Sequence, residues 1–272
     1  MHHRIVGTAV AVLCFAPLAI AQQREPAARG LANFQRAEPP KNAAPAPRGK
    51  DGHMLLENAT GAGGMWTPLF GTANPILEFE QVPFQPWAKA LYIDRQGHEL
   101  EPHTRCHPSG VARQFLTPYG VQFVEIPELQ QMYIFDEGGP HTFRTIYMDG
   151  RTHPKDLVPS YYGHSIGWWE GDTLVVDSVG FNERFWLDRR GLPHTEKLHT
   201  LERFTRLDAM GMKYEATIDD PDVYTKPWTG YFYMRFNPEL DPWEYVCQQN
   251  DQAPELMLGN FKTMDRSTAI VP

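Results

Sequence analysis

The chain has few cysteines, and their positions restrict the roles open to them. Its 272 residues include three cysteines, at Cys14, Cys106 and Cys247. We expect Cys14 to be removed on export, which leaves Cys106 and Cys247 to pair in an oxidising compartment. The alternative is that Cys106 is a metal ligand beside His103 and His107 in the sequence HTRCH. No second cysteine lies near Cys106, so the sequence excludes a c-type haem site and a dithiol redox site.

The sequence also lacks a cluster of basic residues, and it lacks a membrane-spanning apolar run beyond Ile20. With 25 Lys and Arg against 33 Asp and Glu, the formal net charge is -8, which disfavours nucleic acid as a partner. The N-terminus carries Arg4, an apolar run, and the small-x-small pattern of Ala19 and Ala21. This pattern predicts a signal peptide over residues 1–21, with export to the periplasm or the extracellular space.

Two common nucleotide-binding signatures, the P-loop and the dinucleotide-binding glycine pattern, are absent. The pentapeptide GHSIG fits the G-x-S-x-G pattern of serine esterases, in which Ser165 would be the nucleophile. That motif needs a strand, a sharp turn and then a helix, whereas the following IGWWEGDTLVVD reads as strand, turn and strand. A serine esterase is therefore a minor interpretation.

The chain after the signal peptide divides into an arm and one domain. Residues 22–60 are rich in Pro, Ala and Gly and predict an arm or linker, whereas residues 61–272 predict a single β domain. The glycine-rich stretch up to Pro75 is expected to be irregular. One short helix is predicted over Pro83–Asp94, with Trp87, Leu91 and Tyr92 on one face.

After the helix the periodicity of apolar residues changes to two. Short runs rich in β-branched and aromatic residues alternate with turn-forming residues such as Asp149 and Gly150. The runs are Val121–Ile126, Gln131–Phe135, Thr142–Met148, Ser165–Trp169, Thr173–Val179, Leu201–Leu207, Lys213–Ile218, Thr229–Phe236 and Trp243–Cys247. Tight turns between successive runs predict a mostly β, antiparallel meander, forming a barrel-like (lipocalin-like) domain or a sandwich.

Histidines close to carboxylates supply the first candidate site. If residues 194–206 are extended, His194, Glu196 and Glu202 point to one side of the strand. An imidazole beside a carboxylate is a common acid–base pair, so we predict His194 as a general base with Glu196 as its partner. The alternative is a solvated face of paired charges. His141, which follows a Gly-Gly-Pro corner, is predicted as a second acid–base group.

Three histidines are candidate ligands for a divalent metal ion such as zinc: His164, His194 and His199. Three nitrogen ligands would leave one position open for water, whose pKa the ion would lower. The spacing from His194 to His199 differs from the helical H-E-x-x-H pattern. The sequence is therefore compatible both with a metal site and with acid–base chemistry that uses no metal.

Further residues are candidates for binding a small molecule. Arg144 with Arg151 would bind a carboxylate or sulfate, unless both are surface residues. Glu202 is a candidate substrate-binding residue because it lies on the same side of the predicted strand as His194. Three aromatic residues form a candidate platform for a sugar ring or another flat ligand: Trp186, Tyr224 and Trp228. Such side chains in strands are also typical of a core.

Several long motifs resemble a family of exported bacterial proteins of unassigned function. They are WEGDTLVVD, PHTE and IDDPDVYTKPW, and the resemblance covers most of the chain from Pro83 to Asn250. The resemblance implies export and one domain, with His141, His194 and Glu196 inside the family's motifs, and it implies no activity or cofactor. Many family members have tyrosine in place of His164 and lack His199, which does not support a three-histidine metal site.

Together these patterns predict a periplasmic or secreted enzyme with a β-barrel cavity. It would act on a small apolar, aromatic or sugar-like molecule by His/Glu acid–base chemistry, through hydrolysis, elimination or isomerisation. The alternative, from a different functional class, is a lipocalin-like protein that binds such a molecule without turnover.

Overall fold

The structure is a computed structural model that describes residues 44–59, 63–69, 79–244 and 246–247. The predicted signal peptide, residues 1–21, lies outside the described residues, as does the predicted arm before residue 44. From residue 44 onward the arm lies against the barrel, where Arg48 pairs with Asp172 and Leu56 is buried.

Nine strands form a closed barrel in which neighbours in the chain are also neighbours in the sheet, and the last strand pairs with the first. The strands are β1 (Met65–Pro68), β2 (Val121–Ile126), β3 (Gln131–Asp136), β4 (Phe143–Tyr147), β5 (His164–Glu170), β6 (Thr173–Val179), β7 (His199–Arg206), β8 (Gly211–Asp219) and β9 (Trp228–Asn237). Neighbouring strands are antiparallel, with the exception of β4 and β5, which are parallel. The predicted mostly β, barrel-like fold is confirmed.

The predicted helix is present as α1 (Pro86–His98), which begins with Pro86 in its first turn. It extends beyond the predicted range, and its buried face differs from the predicted one. Ala88 and Tyr92, four residues apart, are buried, whereas Trp87 is 49% exposed.

Two strand assignments at the ends of the domain were wrong. The stretch expected to be irregular contains β1, which pairs with β9 over four residues and with β2 through Trp66. A barrel must pair its first and last strands to remove open edges, and this need outweighs weak local β propensity. The predicted run Trp243–Cys247 contains no strand among its described residues, and a disulfide between Cys106 and Cys247 holds it instead.

Aromatic side chains and a segment of the chain before β2 fill the barrel interior. A 3₁₀ turn at Arg113–Leu116 is buried, and the ring of Phe115 lies 4.7 Å from that of Tyr214 and 5.3 Å from that of Phe204. These partners belong to the inner faces of β8 and β7. The expected barrel cavity is therefore not in this part of the lumen, which is packed core.

Two predicted substrate-binding residues, Arg144 and Glu202, pair with each other inside the barrel. Their side chains are 1% and 0% exposed, and Arg144 Nη2 donates to Glu202 Oε2. Arg144 also donates to the hydroxyl oxygens of Ser165 at 2.9 Å and Ser178 at 2.7 Å, and Tyr214 donates to Glu202 Oε1 at 2.9 Å. Mutual pairing and these hydrogen bonds offset the cost of burying both charges.

Across the described ranges, no helix has the length and apolar character needed to cross a membrane.

Replacing Glu202 by alanine will destabilise the fold strongly, because it leaves the Arg144 guanidinium buried without a counter-charge. We expect the free energy of unfolding to fall by about 3–5 kcal/mol, measured by urea denaturation. The matched control is Glu170→Ala, which removes a surface ion pair with Arg203. The Glu170 and Arg203 side chains are 47% and 37% exposed, so this variant should lose about 1 kcal/mol or less of its free energy of unfolding. Equal losses in the two variants would contradict the buried-pair interpretation.

Candidate functional site

The barrel wall opens where the parallel strands β4 and β5 diverge. Two residue pairs join them, Ile146 with Ser165 and Tyr147 with Ile166, whereas seven pairs join β5 and β6. Residues 143–145 pair with β3 on one side and face the chain that leads into β5 on the other. This divergence creates a cleft in the wall.

Two adjoining cavities lie at this opening and share His141 and Thr142, and together they are called the His141 cleft. The larger cavity, about 440 Å³, is lined by Pro108, residues 141–145, Tyr147 and residues 160–164. The smaller cavity, about 340 Å³, is lined by Gln122, residues 135–137, His141, Thr142, Pro242 and Trp243. Each volume falls in the lower part of the range of roughly 300–1,000 Å³ typical of ligand pockets.

The backbone between β3 and β4 directs His141 into the cleft. Gly139 and His141 both have positive φ, 65° and 50°, so the chain reverses sharply before β4. His141 Nδ1 lies 3.7 Å from Glu137 Oε1, and the same oxygen accepts the Trp243 N–H at 2.9 Å. The buried Glu137 carboxyl therefore lies beside the His141 ring and links it to the segment that carries Trp243.

Asp136, the last residue of β3, is a buried carboxyl beside this turn. Burial raises its pKa from the ordinary 3.8 to about 7. The Gly138 N–H at 3.0 Å and the Tyr162 hydroxyl at 3.1 Å favour the ionised form, but desolvation outweighs them. The carboxyl thus exchanges a proton near neutral pH, a property that marks candidate functional residues.

A hydrogen-bonded path connects this carboxyl with the cleft. The Tyr162 hydroxyl lies 3.1 Å from Asp136 Oδ2 and 2.8 Å from Thr142 Oγ1, and both Tyr162 and Thr142 line the larger cavity. Burial raises the pKa of Tyr162 well above its ordinary value, so the phenol keeps its proton. When Asp136 is protonated, the donors along the path reverse, and the Thr142 hydroxyl presents a proton to the cavity.

The loop that carries Cys106 extends the hydrogen-bond network of Asp136 through Ser109 and His103. His103 Nδ1 lies 2.8 Å from Ser109 Oγ, and Ser109 in turn hydrogen-bonds to Asp136. Burial lowers the pKa of His103 to about 4, so this ring is neutral at pH 7. The neutral ring and the hydroxyl extend the buried network without adding charge.

The disulfide joins the two sides of the His141 cleft. Cys106 and Cys247 have their Cα atoms 5.6 Å apart. Pro108, two residues after Cys106, lines the larger cavity, and Trp243, four residues before Cys247, lines the smaller one. The predicted pairing of these cysteines is confirmed, and it links the two segments that contribute Pro108 and Trp243 to the cleft.

The structure does not bring His194 and Glu196 together. Strand β7 begins at His199, so both residues lie in the preceding turn. His194 is buried with Nε2 3.0 Å from the Phe185 carbonyl oxygen, and desolvation lowers its pKa to about 4. Glu196 is exposed, and its backbone N–H faces Glu183 Oε1 at 3.3 Å. Within the described residues, no hydrogen bond joins the two side chains.

The predicted three-histidine zinc site is not assembled. His199 Nε2 lies 2.8 Å and His153 Nε2 3.2 Å from Asp177 Oδ1, and His153 Nδ1 lies 2.8 Å from His164 Nδ1. His153 uses its two ring nitrogens for different neighbours, so these donors do not converge on one point, and His194 has other partners. In the part of the chain that the structure describes, no group of three or more His, Cys, Asp or Glu side chains could hold a metal ion.

The predicted aromatic platform lies in packed core and does not line the His141 cleft. Trp186, Tyr224 and Trp228 are all buried. The Tyr224 hydroxyl donates to the Pro193 carbonyl at 2.7 Å, and the Arg95 guanidinium of α1 lies 5.0 Å from the Trp186 ring centroid. These contacts connect the β8–β9 connection and α1, respectively, to the loop before β7.

Of the residues predicted from the sequence, His141, Arg144 and His164 line the larger cavity, whereas Asp136, Glu137, Thr142 and Tyr162 were missed. Asp136 and Glu137 had a recognisable signal, since two carboxylates end an apolar strand just before the Gly-Gly-Pro corner. Thr142 and Tyr162 had none, because their role depends on which distant segments meet at the β4–β5 opening.

No protein-family model, curated protein or solved structure matches this chain. The geometry of the His141 cleft therefore carries the functional proposal.

Removing the disulfide will destabilise the protein and loosen the cleft. The cysteines are separated by 141 residues, and the chain-entropy model gives a loop of this size about 4–5 kcal/mol. We expect Cys106→Ser/Cys247→Ser to lose that much in urea unfolding, and reductant to lower the stability of the wild type but not of the variant. Free thiols at Cys106 and Cys247 in non-reducing peptide mapping would contradict the pairing.

Proposed function

We propose that this protein is an exported enzyme that binds a small apolar, aromatic or sugar-like molecule in the His141 cleft and acts on it by acid–base chemistry. The observation that carries the proposal is the path from the buried Asp136 carboxyl through Tyr162 to Thr142, which ends beside His141. Export is supported by the pattern of residues 1–21, and it remains a prediction, as does the family resemblance.

His141 and Asp136 divide the acid–base roles. His141 takes a proton from water or from the substrate, and the Glu137 carboxylate, 3.7 Å from its Nδ1, stabilises the resulting imidazolium. Asp136 passes its proton to Tyr162, Tyr162 passes its own to Thr142, and Thr142 delivers one to a substrate oxygen. Both groups then return to their starting states by proton exchange with water. This sequence fits hydrolysis, elimination or isomerisation.

The surroundings of Asp136 suit the role of an acid near neutral pH. Ser109, Gly138 and Tyr162 donate hydrogen bonds to the carboxyl and Arg113 adds a positive charge, all of which lower its pKa. Burial has the larger and opposite effect, so the acid form persists to about pH 7. Proton donors work best when their pKa lies close to the operating pH.

The alternative is a binding protein that holds the same kind of molecule without turnover. Exposed Phe143 and Phe135, one in each cavity, favour this alternative because ring contacts alone support binding. Consumption of a bound ligand separates the two functions.

The proposal is tested by incubating the wild type with neutral mono- and disaccharides, aryl glycosides and phenolic esters, with products followed by NMR. We expect His141→Ala and Asp136→Asn each to lower the rate of any turnover by about 10²–10⁴-fold. The wild-type rate should fall as pH rises through about 7, because Asp136 loses its proton, and Asp136→Asn should lack that limb. His98→Ala, an exposed histidine on α1, is the control.

Three outcomes would overturn the proposal. Full activity in both cleft variants would remove the His141 cleft from the chemistry. Loss of activity in Glu196→Ala, with His141→Ala unaffected, would place the chemistry in the turn before β7. A ligand that occupies the cleft and is never consumed would establish the binding alternative.

A further inference from the structure

Three aromatic side chains form a continuous ridge on the outer wall beside the His141 cleft. Tyr133, Phe135 and Phe143 have ring centroids 6.0–6.2 Å apart in every pair. Phe135 pairs directly with Phe143 across β3 and β4, and Tyr133 is two residues from Phe135 on the same face. These three residues are called the aromatic ridge.

The aromatic ridge is unusually exposed for its apolar character. Phe143 is 57% exposed and Phe135 40% exposed, although both are in regular strands. Phe143 lines the larger cavity and Phe135 the smaller one. Exposed apolar surface rimmed by polar groups is typical of a ligand-binding groove.

Polar groups between the rings define the chemistry of the ligand. Thr142 and Gln122 offer hydroxyl and amide groups, and Asp136 and Glu137 add carboxyls. Arg144 also lines the larger cavity, but its guanidinium is paired with Glu202. Carboxyl and hydroxyl groups exchange hydrogen bonds with ligand hydroxyls, and a guanidinium already paired with a carboxylate attracts an anion less strongly, so the cleft favours an uncharged ligand rich in hydroxyl groups. A pyranose ring has this character, with one apolar face for an aromatic ring and hydroxyls around its edge.

The shape of the cleft defines the size of the ligand. Cavities of about 440 and 340 Å³ meet at His141 and Thr142, and each has an aromatic side chain of the ridge in its wall. A single ring is small enough to occupy one cavity without reaching the aromatic side chain of the other. A ligand that uses both has two connected rings, with their linkage above the shared residues.

We infer that the His141 cleft binds an uncharged oligosaccharide of at least two rings, one against Phe143 and one against Phe135, with the linkage over His141 and Thr142. The inference rests on the proposed function, since it names the ligand class of the same cleft. It adds two subsites, and it places the bond between the rings next to the proposed acid–base groups.

Calorimetric titration of the full protein tests the two subsites. The probes are cellobiose, maltose and N,N′-diacetylchitobiose, each compared with its monosaccharide. We expect at least one disaccharide to bind about 10-fold more tightly than its monosaccharide, because it contacts both rings of the ridge. Phe135→Ala should remove most of that advantage and leave monosaccharide affinity in the larger cavity within about twofold, whereas Phe143→Ala should weaken both.

Trp168→Ala is the matched control, since Trp168 is an exposed aromatic residue on β5 that does not line the cleft. Phe135 and Phe143 are exposed, so their variants should melt close to the wild type, and thermal unfolding verifies this. The inference is overturned if no disaccharide binds, if monosaccharides bind equally well, or if Phe135→Ala binds as the wild type does.

The results also separate this inference from the proposed function. A disaccharide that binds through Phe135 and is never consumed supports the inference and removes the enzymatic function. Turnover of a single-ring aryl substrate that depends on His141, with no sugar binding, supports the enzymatic function and overturns the inference.

Discussion

The parallel contact between β4 and β5 is the constraint on which the location of the site depends. Parallel strands cannot be joined by a tight turn, so the chain needs a long connection over residues 148–163 before it enters β5. The two strands meet over two residue pairs and then diverge, which leaves residues 143–145 facing a cleft. His141 and Thr142 lie just before β4, at the end where β4 and β5 diverge. The short parallel contact that closes the barrel therefore also creates the cleft.

Because the barrel interior is filled, the proposed chemistry is assigned to the wall. A barrel of about eight strands is just wide enough to be filled by side chains or to hold one small ligand. Here Phe115 packs against the inner faces of β7 and β8, and Arg144 and Glu202 neutralise each other nearby. The buried ion pair and the aromatic core give the cleft a rigid inner wall. Glu202, which resembles a binding residue in the sequence, serves here to neutralise Arg144, which lines the larger cavity.

The two-residue periodicity predicted much of the fold, and the site much less. It located the strands from β2 to β9, but it left open whether the face of β7 that carries Glu202 points inward, as it does. It did not predict β1, whose pairing is required by barrel closure. His194 looked reactive beside Glu196, but a turn separates it from β7 and burial suppresses its basicity. Asp136 gains its properties from desolvation and from Tyr162, neither of which is visible in a local sequence pattern.

The central claim is that a buried acid near neutral pH serves the His141 cleft. The most direct measurement is the titration of the Asp136 side-chain carboxyl carbon by ¹³C NMR in the wild type and in Tyr162→Phe. We expect a wild-type midpoint near pH 7, and a higher midpoint in Tyr162→Phe, because the ionised carboxylate loses a hydrogen-bond donor. A wild-type midpoint near the ordinary 3.8 would contradict the central claim.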